Sequence, residues 1–342
     1  MKNSDLFSFS NKYLILFSCC IPVKGARRST ICDLQREKFD FIPNILFTIL
    51  TEFRNRKFQE IIEFCGNENL EFLKEYLKFL IQNEYAFFSD EPEKFPALNL
   101  DWKSPHEITN AIIDFDEYSN HNMERIIKEL EILRCPAIQL RFYNSPLYKE
   151  LLNILSYFEG TGVRTLELIF KYSPEYQVRT LKEVLQKFPR VSIIILTSSP
   201  TKREITYNNY YPNIIFQTQI VDSPKCCGSV SLTNFRVNIL LFTEAQKYNS
   251  CLNRKIGIDK DGFIKNCPTS EKSYGQVDTI SLSKVVKSRS FKNLWSINKD
   301  MISICKDCEF RYICTDCRVV VENKFSKPLK CKYDPYDAKW EK

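Results

Sequence analysis

The residues best equipped for chemistry in this chain are its cysteines, and their placement matters more than their number. Of the 14 present, Cys19, Cys20, Cys32, Cys65 and Cys135 are scattered through apolar stretches, where a thiol usually serves as a small core hydrophobe. The rest fall between Cys226 and Cys331. They read Cys226-Cys227-Gly228, then Cys251, then Gly262 and Cys267, then Cys305-Lys-Asp-Cys308, a five-residue gap, Cys314-Thr-Asp-Cys317, and finally Cys331. A two-residue gap lets both thiolates of a pair turn onto one metal centre, as in zinc ribbons and iron–sulfur loops. One such pair carries little weight. Two of them bracketing five residues, with single cysteines far upstream and downstream, point to thiolate–metal chemistry. Softness and ligand count alone admit either zinc or iron–sulfur.

Other chemistries find less support. The two histidines, His106 and His121, leave little for a multi-His site, and a nucleophilic pair of Cys135 with His121 has no supporting motif. Asp114, Asp116 and Glu117 gather at the end of an expected strand, where an α/β site would lie, and read first as a solvated acidic loop. The 8 glycines form no phosphate-binding loop, which argues against a nucleotide-binding enzyme. Lys plus Arg exceed Asp plus Glu by only 49 to 42, an excess too mild and too dispersed to mark a nucleic-acid partner. No apolar run approaches the roughly 18–20 residues that a membrane helix needs. The apolar segment 13–23 imitates a signal-peptide core but lacks the expected basic flank and cleavage site. A reducing, cytoplasmic setting is therefore expected, in which clustered cysteines bind metal rather than one another.

The elements that must position these groups divide the α/β chain into three regions. Residues 1–93 predict a strand over 13–23, a second over 29–35 and a third over 38–42. Pro43 opens a helix to about Phe53, a second helix ends at Cys65-Gly66, and a third spans Leu70–Gln82 with Leu70, Leu73, Leu77 and Leu80 on one face. A closing strand at Tyr85–Phe88 completes a winged-helix-like plan, and the proline-bearing stretch 91–96 is a linker. Residues 97–222 alternate strands at Ile108–Phe115, Ala137–Phe142, Thr165–Phe170, Val191–Thr197 and Ile214–Val221 with helices at Asn122–Leu133, Leu147–Phe158 and Tyr176–Phe188. That is the βαβ pattern of a parallel sheet, with too few strands to close an eight-stranded barrel. Residues 223–342 hold the cysteine cluster.

The run C-x10-G-x4-C, CxxC-x5-CxxC and a last Cys resembles the SPASM domain, the cysteine-rich extension of radical-SAM enzymes that modify peptides. Its final gap is two residues where that family usually has three. The resemblance implies two auxiliary 4Fe-4S clusters. Cys251, Cys267 and Cys317 with an upstream cysteine, Cys227 in preference to Cys226, would hold one. Cys305, Cys308, Cys314 and Cys331 would hold the other. Zinc in the same thiolates is the alternative. The CxxxCxxC loop that such enzymes place after the first barrel strand is absent: residues 116–124 contain no cysteine, and Arg141–Ser145 stands where a Gly-Gly-Glu segment is expected. The middle region is therefore expected to be a degenerate, partial (β/α) barrel, with no S-adenosylmethionine cleavage. The whole layout resembles peptide maturases of the grasp-with-spasm type, coded beside an ATP-grasp ligase and a short precursor peptide. This implies that the N-terminal region recognises a leader peptide, with Arg27, Arg28, Phe39 and Phe41 as candidate contacts. Two alternatives stand beside it: a redox enzyme acting on the peptide through a cluster, and a zinc-stapled interaction protein.

Overall fold

The structure, a computed structural model, describes residues 6–207, 211–228, 230–315 and 317–341. Residues 1–5 of the first region and Asp316 inside the second CxxC lie outside them.

The apolar segment 13–23, expected as one strand, is two. A turn closed by the Cys20 N–H on the Phe17 carbonyl, at 2.8 Å, separates β1 (Tyr13–Leu16) from β2 (Cys20–Val23), and each joins a different sheet. β1 pairs antiparallel with β5 (Ala86–Ser89). β2 pairs with β3 (Ser29–Asp33), and β3 with β4 (Lys38–Ile42). The segment is apolar on both faces, so periodicity gave no sign of the break. Three helices follow: α1 (Asn44–Glu52), α2 (Phe58–Cys65) and α3 (Leu70–Gln82). Pro43 is the N-cap of α1, one place before the expected first turn. Leu70, Leu73, Leu77 and Leu80 are all buried, and with Phe58, Ile61 and Tyr85 they form the N-terminal core.

Every residue of β3 is buried, because the small sheet has neighbours on both faces. One face meets the helices. The other places Val23, Cys32 and Leu34 against Phe235, Val237, Phe310, Ile313 and Tyr333 from the cysteine-rich region. Residues 20–42 are thus an inner layer between the N-terminal helices and the C-terminal loops.

The middle of the chain builds an eight-stranded, mostly parallel sheet. Its strands are β6 (Asn110–Phe115), β7 (Ala137–Phe142), β8 (Thr165–Lys171), β9 (Val191–Thr197), β10 (Arg203–Ile205), β11 (Ile214–Phe216), β12 (Lys255–Ile258) and β13 (Ile264–Lys265). They run in the order β10-β11-β9-β8-β7-β6-β12-β13. Crossover helices α4 (Met123–Ile132), α5 (Tyr148–Ser156) and α6 (Val178–Lys187) connect the central strands, as parallel pairing requires. The Asn122 side chain caps α4 by accepting the Arg125 N–H at 3.0 Å. β11 ends at Phe216, five residues short of the expected Val221. The sheet also continues beyond residue 222. β12 lies parallel to β6, with Lys255 opposite Asn110 and Ile258 opposite Ile113, and β13 closes that edge antiparallel. A four-residue strand containing Gly257 offers too little pattern to be read in advance. That glycine is required by packing: a Cβ there would stand 2.5 Å from Cδ of Pro268, the neighbour of Cys267.

Ending the chain after residue 222 would strip β12 from β6 and leave an apolar parallel strand as an open edge. Such a truncation is expected to aggregate or to lose its near-UV circular dichroism. A monomer with an intact near-UV spectrum on size-exclusion chromatography would contradict this account of the sheet.

Candidate metal centre

Cys305, Cys308, Cys314 and Cys331 line one small cavity of about 30 Å³, walled by Phe235, Phe310 and Tyr333. Little regular structure holds them, only short helical turns at Lys299–Met301 and Cys305–Asp307 and a small hairpin, β14 (Tyr333–Asp334) with β15 (Lys339–Trp340). Ile304, next to Cys305, has φ 68, a conformation that costs a β-branched residue about 1–2 kcal/mol. Strain of this kind gathers where the chain must aim a side chain. Burial pushes the Cys308 thiol well above its ordinary pKa, with the neighbouring Glu309, Cys314 and Cys305 adding to the rise against a backbone N–H that lowers it. Without a metal it stays protonated, and metal binding there would release a proton.

The other predicted set gathers around Lys255. Its ammonium donates to Cys251 Sγ at 3.5 Å. Burial pushes this lysine down, yet the charges of Cys251, Cys267 and Cys227 outweigh it and the net direction is up. Cys317 is raised by burial, and its charged neighbours include Cys251 and Cys227. Gly228 has φ +92, and a Cβ there would lie 3.2 Å from Cys317 Sγ, so glycine is needed for the loop to reach this thiol. Thr269 Oγ1 donates to the Pro224 carbonyl at 2.8 Å, and Lys330 Nζ to the carbonyls of Lys225 and Cys227, pinning the loop down. The adjacent Cys226 faces away, its thiol donating to Asp222 Oδ1 at 3.6 Å.

Among the described residues, no three of these eight cysteines bring all their sulfurs within 4.8 Å. A tetrahedral zinc with bonds of about 2.3 Å sets its sulfurs about 3.8 Å apart. Soft thiolates at this spacing suit zinc and iron–sulfur clusters alike.

The candidate peptide contacts meet the cysteine loop instead of an open groove. Arg28 Nε donates to Glu309 Oε1 at 2.8 Å, and Tyr333 OH donates to the same oxygen at 2.5 Å. Thr30 Oγ1 donates to the Glu309 carbonyl at 3.0 Å, and the Ala26 N–H to the Asp307 carbonyl at 2.7 Å. The Arg28 guanidinium lies 3.5 Å above the Phe41 ring. Phe39 and Phe41 both meet the edge of Phe310, at 5.6 and 5.8 Å between centroids. Arg27 is exposed. Gly25 passes so close to Glu309 that a Cβ would stand 2.8 Å from the glutamate Cβ.

Asp114, expected in a solvated loop, is instead buried. It receives Arg141 Nε at 2.7 Å and Nη2 at 2.9 Å, and the Tyr143 hydroxyl as well. Asp116 pairs with Lys260 at 2.9 Å, and Glu117 is exposed. Cys135 and His121 are not partners: the buried thiol donates to the Ala137 carbonyl at the start of β7, and the imidazole bonds the Asp114 carbonyl at the far end of β6. Sequence reading missed Lys255 and Glu309. Their only signal was position, four residues after Cys251 and one after Cys308.

No protein-family model matches the sequence, and no curated protein matches it either. Among solved structures, the crystal structure of Streptococcus suis SuiB bound to S-adenosylmethionine is similar over 92% of this chain and 98% of that one, at 12% identity and a TM-score of 0.30.

Removing the arginine from the seam strands a buried carboxylate. Arg28→Met is expected to cost roughly 2 kcal/mol, and Tyr333→Phe about 1 kcal/mol, measured by urea denaturation. A neutral Arg28→Met would contradict the seam's role. A pH effect comes from Glu244, on α7 (Ile239–Ala245), whose pKa burial pushes up to about 7 against a hydrogen bond from Asn253. A raised carboxyl pKa contributes stability below the unfolded value, and that contribution is lost as pH rises through about 7. Stability should fall by roughly 3 kcal/mol between about pH 4.5 and 8, and Glu244→Gln should flatten that slope.

Proposed function

We propose that this chain is a peptide-maturation protein of a ribosomal natural-product system, of the grasp-with-spasm type. In this reading it binds a precursor peptide through its N-terminal region and presents it to an ATP-grasp ligase. Two iron–sulfur clusters brace its C-terminal SPASM-like region. The observation that carries the reading is the gathering of Cys305, Cys308, Cys314 and Cys331, distant in sequence, around one apolar cavity. Cys227, Cys251, Cys267 and Cys317 would hold the second cluster, with Lys255 offsetting the negative charge of its thiolates. Bound there, the clusters would supply cross-links between segments that share little apolar core. β4 lies at the end of the three-stranded sheet and pairs only with β3 among the described strands. A leader peptide adding as a further strand would bond to that edge. The degenerate barrel would contribute scaffold and no radical chemistry, since the CxxxCxxC loop is missing from the sequence.

The ligase and ATP would then make the bond, and this chain would raise its rate by holding peptide and ligase in register. With purified precursor, ligase and ATP, omission of the full chain is expected to slow modification. An electron donor should change nothing, and S-adenosylmethionine should be neither bound nor consumed. A product formed only with reductant, and differing from the precursor by something other than loss of water, would overturn the presenting role in favour of a redox enzyme.

A further inference from the structure

Two of the scattered cysteines are more than core thiols. The turn at Phe17–Cys20 brings the side chains of Cys19 and Cys20 together, with their sulfurs 3.8 Å apart. The register of β2 on β3 sets Cys20 directly opposite Asp33. The Asp33 carboxylate thereby joins the two thiols, and all three ligand atoms lie within 4.8 Å of one another. Cys20 and Asp33 are buried, at 3% and 0% exposed, while Cys19 is half-buried. The group therefore has a closed wall and one open side.

Three features of this trio suit a metal ion. The sulfur spacing matches the edge of a thiolate–zinc tetrahedron, about 3.8 Å for bonds of about 2.3 Å. Oxidation of the pair to a disulfide is disfavoured, because adjacent Cα atoms lie about 3.8 Å apart, short of the roughly 4.4 Å at which ordinary disulfides begin. The carboxylate is also already oriented. Asp33 Oδ1 accepts the N–H groups of Gln35 and Arg36 at 3.1 and 2.9 Å, and Oδ2 accepts Arg36 Nη1 at 2.9 Å. A carboxylate offers about four lone-pair directions, so one remains on Oδ2, and ligating carboxylates are commonly held by hydrogen bonds of this kind. Two thiolates and a carboxylate around a divalent ion leave one negative charge, and Arg36, which Asp33 shares with Glu84, lies beside it.

We propose that Cys19, Cys20 and Asp33 form a binding site for a thiophilic divalent cation of the zinc type, distinct from the two larger cysteine sets. The ion enters beside Cys19, and its fourth position is left to solvent. Cys19 packs against both the N-terminal core and the core beneath Phe310, so a bound ion clasps the β1–β2 turn onto β3 where the two cores meet.

The test is zinc stoichiometry of the full chain, equilibrated anaerobically with zinc and then dialysed, compared with the Cys19→Ser/Cys20→Ser double variant. The double variant is expected to hold about one zinc per chain fewer. Cys65→Ser, altering a thiol outside the trio, should hold as many as the parent. Asp33→Asn should weaken that one zinc by about ten- to a hundredfold. In the cobalt-loaded protein, the double variant should lose part of the thiolate-to-cobalt absorption. If the double variant does not fold, Cys19→Ser decides, because its half-buried position tolerates the change; a loss of affinity of about tenfold or more is expected. Equal zinc content and equal affinity in a folded Cys19→Ser or double variant would overturn the proposal. This comparison concerns one metal equivalent at the N-terminal turn and stands apart from whether the C-terminal cysteines hold iron.

Discussion

The buried carboxylate of Glu309 is the interaction on which the arrangement of this molecule turns. Its side chain is wholly removed from solvent and sits between a strand from the start of the chain and the loop that carries Cys305 and Cys308. Oε1 receives both Arg28 and Tyr333, whereas Oε2 has no partner among the described residues. A buried charge held in this way is costly to break and offers little net stability when intact. Its value lies in specificity: it fixes which face of the small sheet meets the cysteine loop. Thr30, Ala26 and the close passage of Gly25 repeat the same register along the backbone. Phe39, Phe41 and Phe310 then fill the seam with edge-on ring contacts, a geometry that aromatic quadrupoles favour.

A second constraint positions the other cysteines. β12 adds to the parallel sheet beside β6, and its first residue is Lys255, whose ammonium reaches Cys251. β13 ends two residues before Cys267, and Gly257 lets the chain after Cys267 pass close against β12. The sheet edge therefore acts as a rigid mount for two thiols, while Cys227 and Cys317 arrive on loops pinned by Lys330 and Gly228. Elements of regular structure hold a site more tightly than loops do. The cavity of Cys305, Cys308, Cys314 and Cys331 has no such mount and depends on the seam at Glu309.

Much of this was legible in the sequence where a single periodicity ruled. The leucines of α3 stand at helical spacing, and the helix occupies the residues they mark. The central strands β7 and β9 match their apolar runs. What could not be read was pairing at a distance. The segment 13–23 is apolar throughout and hid the turn that sends its halves to separate sheets. β12 is too short to show a pattern. Asp114 looked like part of an acidic loop because its counter-ion, Arg141, lies one strand away. Nothing in the sequence shows that Glu309 and Phe310, some 270 residues later, lie against Arg28, Phe39 and Phe41, although Phe41 remains partly exposed. Cysteine spacing marked the candidate metal region, and the fold adds that Cys227 lies among the groups acting on Lys255 while the Cys226 thiol bonds Asp222.

The account stands or falls on what the eight C-terminal thiolates hold. The direct measurement is iron and acid-labile sulfide per chain after anaerobic purification, with electron paramagnetic resonance of the reduced protein. Two cubane clusters predict about eight irons and about as many sulfides per chain, with the signal of a reduced 4Fe-4S centre. Stoichiometric zinc bound by those eight cysteines, with no sulfide, would contradict it.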